Sequence, residues 1–183
     1  MPVATIVPPS STICPGTSVP LTVTGYTCNV TYNWTPATGL NCQTCQSVTT
    51  NPSTTITYSV VVTSASGCSS TQNVTVNVLP APMSQFVVIT NETCMGSTFT
   101  INNQSIGGTN YEIQWGDGSP PTLFNNFTPS TINHTYQQPG QFTISMIVSG
   151  SNGCCSSSYQ FVSVTPHVPG IYNDNPSCCS EIV

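Results

Sequence analysis

The chain contains no lysine and no arginine in 183 residues, only five Asp and Glu, and two histidines, which gives a formal net charge of −5. A protein that grips nucleic acid neutralises phosphates with basic side chains, and none is available. Attraction to anionic lipid headgroups through a basic patch is excluded for the same reason, as are lysine-based isopeptide crosslinks. Five acids are too few for a disordered polyanion. No apolar run approaches the ~18 residues that a membrane-spanning helix needs. The opening MPVATIVPPSS lacks the basic region and long apolar core of a signal peptide, so the expectation is a mature piece or fragment of something longer. What remains is neutral and polar: 24 Ser, 29 Thr and 16 Asn. Solubility must come from hydroxyls and amides, and stability should depend little on ionic strength.

Ten cysteines invite two readings, zinc and disulfides. Zinc clusters favour paired CxxC knuckles, often with His. One CxxC occurs, Cys42-Gln43-Thr44-Cys45, with no second knuckle at ribbon spacing. Disulfides are the preferred reading, and they imply an oxidising, extracellular setting.

The chain also repeats itself. Cys14 opens CPGTSVPLTVTG and Cys94 opens CMGSTFTINNQS; Trp34 closes VTYNW and Trp115 closes YEIQW. A fixed offset then relates Ile56, Tyr58, Val60 and Val62 to Phe142, Ile144, Met146 and Val148, and Cys68 to Cys154. Period-two patterning punctuated by Gly, Pro, Asn and Ser predicts an all-β protein of two tandem antiparallel β-sandwiches, with no stretch of helical period. Strands are expected near 3–7, 18–24, 29–34, 46–50, 55–63 and 71–78 in the first unit. In the second they are expected near 85–90, 97–102, 110–115, 131–136, 141–149 and 159–165. The expected domains are 1–79, then 80–166 after a Pro-rich linker, and then 167–183 as a linker opening a truncated third repeat.

A unit of this size has a marginal core. Cys14 and Cys68 stand at equivalent places to Cys94 and Cys154. Pairing each couple would close a loop of about 55 residues and contribute roughly 4 kcal/mol by the loop-closure argument. The expectation is therefore Cys14–Cys68 and Cys94–Cys154, with Cys42–Cys45 closing a small ring after Trp34. For Cys28, Cys155, Cys178 and Cys179 two readings stay open: Cys155 bonded to a tail cysteine at the junction between units, or crosslinks to neighbouring chains or units.

Asp117 sits between two glycines just past Trp115. Such an Asp accepts backbone N–H groups and stabilises a tight turn. Calcium would need several oxygen ligands, and the other acids are scattered. A serine triad lacks a Gly-x-Ser-x-Gly elbow, and glycoside hydrolysis needs two carboxylates facing one cleft. No catalytic residue, metal or cofactor is expected. His134 reads as a packed or surface imidazole, and Trp34 and Trp115 read as core. Tyr26, Tyr111, Phe124 and Phe127 are the candidates for exposed contacts. The segment 119–131 reads as a long loop whose two Phe, Phe124 and Phe127, would contact any ligand.

The phrases WGDGS and HTYQQPGQFTISMIVSGSNGC resemble a polycystic-kidney-disease (PKD) repeat over about 85–166. Trp115 to Gly118, His134 to Tyr136 and Pro139-Gly140 occupy the family's motif, although an aromatic usual in its turn is missing. The first unit, through ICPGTSVPLTVTG, YNWTPATGLNCQTC and TTITYSVVVTSASGCSSTQNVTVNV, is similar to immunoglobulin-like repeats of giant Bacteroidota surface adhesins. That resemblance implies a non-enzymatic spacer segment of a secreted cell-surface adhesin filament, exported by type IX secretion and of the gliding-motility kind. Its implied partners are neighbouring repeats, the outer-membrane secretion and motility machinery, and surface polysaccharide. Two alternatives stand beside it: a polysaccharide-binding adhesive module, and an accessory PKD-type domain of a secreted hydrolase.

Trypsin cleaves after Lys and Arg, so the reduced, denatured chain is expected to survive trypsin as one band on a denaturing gel. Fragments from a sequence-verified sample would contradict this.

Overall fold

A computed structural model describes residues 4–25, 29–89, 94–96 and 98–166. The described residues contain strands and no helix, and the chain divides into two units, Met1–Pro80 and Ala81–Val183. The expected opening of a third repeat at 167–183 lies outside the described residues.

Unit 1 contains β1 (Thr5–Val7), β2 (Ser10–Ile13), β3 (Val19–Thr24), β4 (Val30–Thr35), β5 (Ser47–Thr50), β6 (Ile56–Ser64) and β7 (Ser69–Val78). They form a three-stranded sheet, β1-β3-β5, and a four-stranded sheet, β2-β7-β6-β4. Pairing is antiparallel except for β2 with β7, which is parallel. The alternation read along 55–63 explains β6: Tyr58, Val60 and Val62 point inward and are fully buried, while Thr57, Ser59 and Val61 face the other way. Leu21, Val23, Trp34, Val48, Val74 and Val76 complete the core.

Unit 2 contains β8 (Phe86–Ile89), β9 (Thr98–Asn103), β10 (Asn110–Gln114), β11 (Thr122–Asn125), β12 (Thr131–Thr135), β13 (Gly140–Ser149) and β14 (Cys155–Val164). Its sheets are β12-β9-β8 and β11-β10-β13-β14. Between them lie Phe99, Ile101, Ile113, Trp115, Tyr136, Ile144, Met146 and Val148, all buried. The last strands of the two units, Ser69–Val78 and Cys155–Val164, are 86 residues apart at both ends.

Two expectations on element boundaries change. The strand expected near 3–7 is β1, and an unexpected strand follows it: Pro8 and Pro9 lack backbone donors and end β1, after which the chain crosses to the other sheet as β2. Residues 119–131 are not one loop: Thr122–Asn125 pairs with β10 as β11, with Phe124 opposite Tyr111.

Each unit also buries a tyrosine whose hydroxyl bonds to a backbone carbonyl of a loop. Tyr58 donates to the Thr38 carbonyl at 2.7 Å, and Tyr136 to the Trp115 carbonyl at 2.9 Å. These bonds satisfy a buried phenol that would otherwise cost free energy.

Ile144 is fully buried and Gln141, three residues before it on β13, is exposed. Ile144→Ala is expected to cost about 2–5 kcal/mol in urea unfolding, and Gln141→Ala to stay within about 0.5 kcal/mol. Equal costs would contradict the inward register.

Candidate functional site

The densest set of polar and aromatic contacts lies at the turn after β10. Gly116 has φ +81°, and a Cβ there would stand 2.6 Å from the Thr143 carbonyl oxygen and 2.9 Å from its nitrogen. Only glycine fits, on both counts. Asp117 follows, and its Oδ1 accepts the Ser119 backbone N–H at 3.0 Å and also the Ser119 hydroxyl. This is the side-chain turn that Asp readily forms. Gly118, at φ +83°, completes it.

The second carboxylate oxygen is held from another sheet. His134 on β12 donates from Nε2 to Asp117 Oδ2 at 2.7 Å, the only ion pair among the described residues when the imidazole is protonated. The ring stacks on Trp115, with centroids 4.4 Å apart and planes 10° apart. Its other neighbour is Tyr136, edge-on at 4.7 Å. Trp115 donates from Nε1 to the Thr122 hydroxyl at 3.0 Å. Burial alone would raise the Asp117 carboxyl, but the Ser119 hydroxyl, the His134 contact and the Ser119 amide outweigh it and bring the pKa down from 3.8 to about 2. Burial first, and the Asp117 charge second, push the Tyr136 phenol well above its usual range.

This arrangement holds a turn and lacks the parts for catalysis. A serine nucleophile needs the imidazole between hydroxyl and carboxylate. Here the carboxylate is central and both Ser119 and His134 donate to it, so neither is activated. The His134 and Asp117 side chains are only 15% and 17% exposed, which leaves little room for a substrate. No group of three or more His, Cys, Asp or Glu that could hold a metal ion occurs among the described residues. The sequence showed the Asp turn but missed His134 as its second anchor. The available signal was a His two residues before a Tyr of the core, on a strand beside the turn.

Of the candidate contact aromatics, Phe127 is 60% exposed. Phe124 is a correction: it packs partly buried against the core and lies 6.1 Å from Phe127 between ring centroids. Tyr111 is also core. Tyr26 and His167 lie outside the described residues.

The cysteines need a larger correction. Cys42 and Cys45 are joined, with Cα atoms 5.8 Å apart. Their ring presents the Cys45 carbonyl to Trp34 Nε1 at 2.9 Å, so it pins the unit 1 tryptophan. Cys68, however, carries a free, exposed thiol, which rules out Cys14–Cys68. Cys14 directly follows β2, whose Ile13 pairs with Val78 at one end of β7; Cys68 precedes the other end. The same geometry separates Cys94, bridged to Thr165, from Cys154, which precedes β14. A ten-residue strand puts about 30 Å between such positions, and a disulfide spans under about 7 Å between Cα atoms. Cys14, Cys94 and Cys154 are each disulfide-bonded, but not in the expected pairs. Cys155 is a free, exposed thiol. Cys28, Cys178 and Cys179 lie outside the described residues.

Comparison with known proteins accords with this architecture. Residues 80–165 match the PKD domain family, and residues 2–80 match the family described as Ig-like domain, CHU_C associated. Together the two matches span residues 2–165 and support an Ig/PKD-like repeat protein. Among solved structures it is similar to carbohydrate-binding modules from the β-sandwich superfamily (26% identity, TM-score 0.43), over 48% of this chain and 35% of that one. It is also similar to the PKD1 domain of Vibrio anguillarum Epp (20% identity, TM-score 0.38), over 46% of this chain and 94% of that domain. A third is the PKD1 domain of the Vibrio cholerae metalloprotease PrtV (17% identity, TM-score 0.38), over 46% and 98%. No curated protein matches. Ig-like and PKD domains are typically non-catalytic structural or adhesive modules. PKD domains and disulfides are typical of extracellular or secreted proteins. No helix among the described residues is long and apolar enough to cross a membrane.

Two outcomes test the site. The Asp117 carboxyl is depressed in the folded PKD-like domain, so its contribution is fully present above its ordinary pKa and fades as pH falls from about 4 to about 2. Wild-type protein should lose roughly 1–2 kcal/mol over that window relative to Asp117→Asn, less than full linkage because the turn is partly exposed. Identical pH profiles in urea unfolding would contradict the clasp. Second, maleimide on the native Ig/PKD-like protein should modify Cys68 and Cys155 and spare Cys42 and Cys45, read by peptide mass. Protection of Cys68 or Cys155 would contradict the free thiols.

Proposed function

We propose that this chain is a spacer segment of a large secreted cell-surface adhesin filament, in which Ig-like and PKD-like units follow one another along the polypeptide. The observation that carries this reading is that the most organised polar cluster, Asp117 with Ser119 and His134, is spent on anchoring a turn beneath Trp115. What is left is two sandwiches whose strands of up to ten residues make each unit a spacer of roughly 30 Å. The reading is non-enzymatic and extracellular. It extends to a Bacteroidota adhesin exported by type IX secretion and used in gliding motility, a resemblance carried by the first unit's phrases. Its partners are neighbouring repeats, the outer-membrane secretion and motility machinery, and surface polysaccharide.

The test is the full reading frame that contains this segment, together with antibody labelling of intact producing cells. Many further Ig-like and PKD-like repeats and labelling of the cell surface are expected. A lone hydrolase domain joined to these two units would replace the filament with the accessory-domain reading.

A further inference from the structure

The most exposed aromatic side chains of the described chain are not on the 119–131 segment. They are Tyr159 and Phe161 on β14, 67% and 76% exposed. They lie on the outer face of the β11-β10-β13-β14 sheet, two residues apart on its edge strand, in an edge-to-face pair with centroids 5.7 Å apart. Two large rings left in water on an outer sheet face forgo the burial that rings elsewhere in the chain obtain, and such surfaces mark interaction sites.

The register gives each ring polar neighbours. Tyr159 faces Ser145 on β13, which in turn faces Gln114 on β10. Phe161 faces Thr143. One strand-pair further along β10 lies Glu112, whose Oε1 accepts the Gln114 side-chain amide at 2.9 Å. The face therefore combines two exposed rings, hydroxyls, an amide and one carboxylate, in a chain with no lysine or arginine.

That chemistry selects among occupants. An anionic partner would meet the Glu112 charge with nothing to offset it. A second copy of this chain brings the same carboxylate and again no cation, and the hydroxyls beside each ring break up the apolar patch that a protein interface core needs. A neutral glycan fits both features. The C–H faces of its sugar rings carry the positive charge that complements the negative face of an aromatic ring, and its hydroxyls can bond to Gln114, Ser145, Thr143 and Glu112.

We propose that this outer face of the second unit is a binding platform for neutral polysaccharide, with Tyr159 and Phe161 stacking on sugar rings and Gln114 and Glu112 bonding to their hydroxyls. The assignment rests on the polysaccharide partner of the proposed function and gives it a site; it would hold equally on a spacer or an accessory domain, so the reading frame tests the filament and the glycans test this face.

The test is a pull-down of the full 183-residue chain on microcrystalline cellulose, chitin and insoluble starch, repeated at low and high salt. Binding to at least one of the three is expected. Tyr159→Ser with Phe161→Ser should lower the affinity at least tenfold while the far-ultraviolet spectrum and urea midpoint hold. Tyr159→Trp with Phe161→Trp should keep it, and Phe127→Ser should leave it unchanged. Affinity should vary less than twofold with salt, since no charge pair is made. The proposal is overturned by no binding to any of the three glycans, by binding that survives the double Ser variant, or by binding that collapses with salt. It is also overturned if the rings prove to be a contact between copies, seen as a dimer in sedimentation that the double Ser variant abolishes.

Discussion

With no lysine or arginine in the chain, the two sandwiches are held by burying the inner faces of four sheets, and the polar groups inside must find their partners without them. The outer faces show the same economy of charge. Thr5 bonds to Thr24, Thr22 to Ser47 and Thr57 to Thr75 across neighbouring strands. In the second unit Thr100 bonds to Asn133. Such cross-strand pairs contribute a few tenths to about 1 kcal/mol each. None depends on a net charge.

The two units also meet one local demand with different chemistry. Each ends its fourth or tenth strand at a tryptophan that caps the core and must place its indole N–H. In unit 1 the Cys42–Cys45 ring supplies the Cys45 carbonyl. In unit 2 Thr122 at the start of β11 supplies a hydroxyl, while His134 covers the indole face and is itself tied to Asp117. A covalent ring in one unit and a carboxylate clasp in the other serve as equivalent fasteners. This accounts for one of the few acids in the chain lying where it does, without reference to catalysis.

How much of this was legible in the sequence depended on the range of the interaction. The alternation through Tyr58, Val60 and Val62, and through Ile144, Met146 and Val148, is local, and it fixed β6, β13 and the inward tryptophans. Strand β11 was hidden because a four-residue strand that starts directly after Pro-Pro and runs into Asn-Asn shows no alternation long enough to read. The Asp117–His134 contact joins residues 17 apart and needs the knowledge that β12 passes beside the turn. The cysteine pairs failed for a related reason. Repeat symmetry says which cysteines are equivalent, but proximity depends on strand direction. Cys14 and Cys68, like Cys94 and Cys154, fall at opposite ends of a ten-residue strand. The contact candidates went to Phe124 and Phe127 because they stand in an apparent loop, whereas the most exposed rings, Tyr159 and Phe161, sit on the strand expected near 159–165, on the face turned away from Val162 and Val164.

The central claim is that buried apolar faces and short-range contacts, with no network of surface ion pairs, hold this molecule in shape, and the most direct measurement is urea unfolding at neutral pH from about 0.01 M to about 1 M sodium chloride, a range over which the Debye length falls from about 30 Å to about 3 Å. The account predicts an unfolding free energy constant to within about 0.5 kcal/mol, the scatter ordinary for a surface change. A loss of several kcal/mol as salt rises would show that ion pairs carry the fold, and would contradict it.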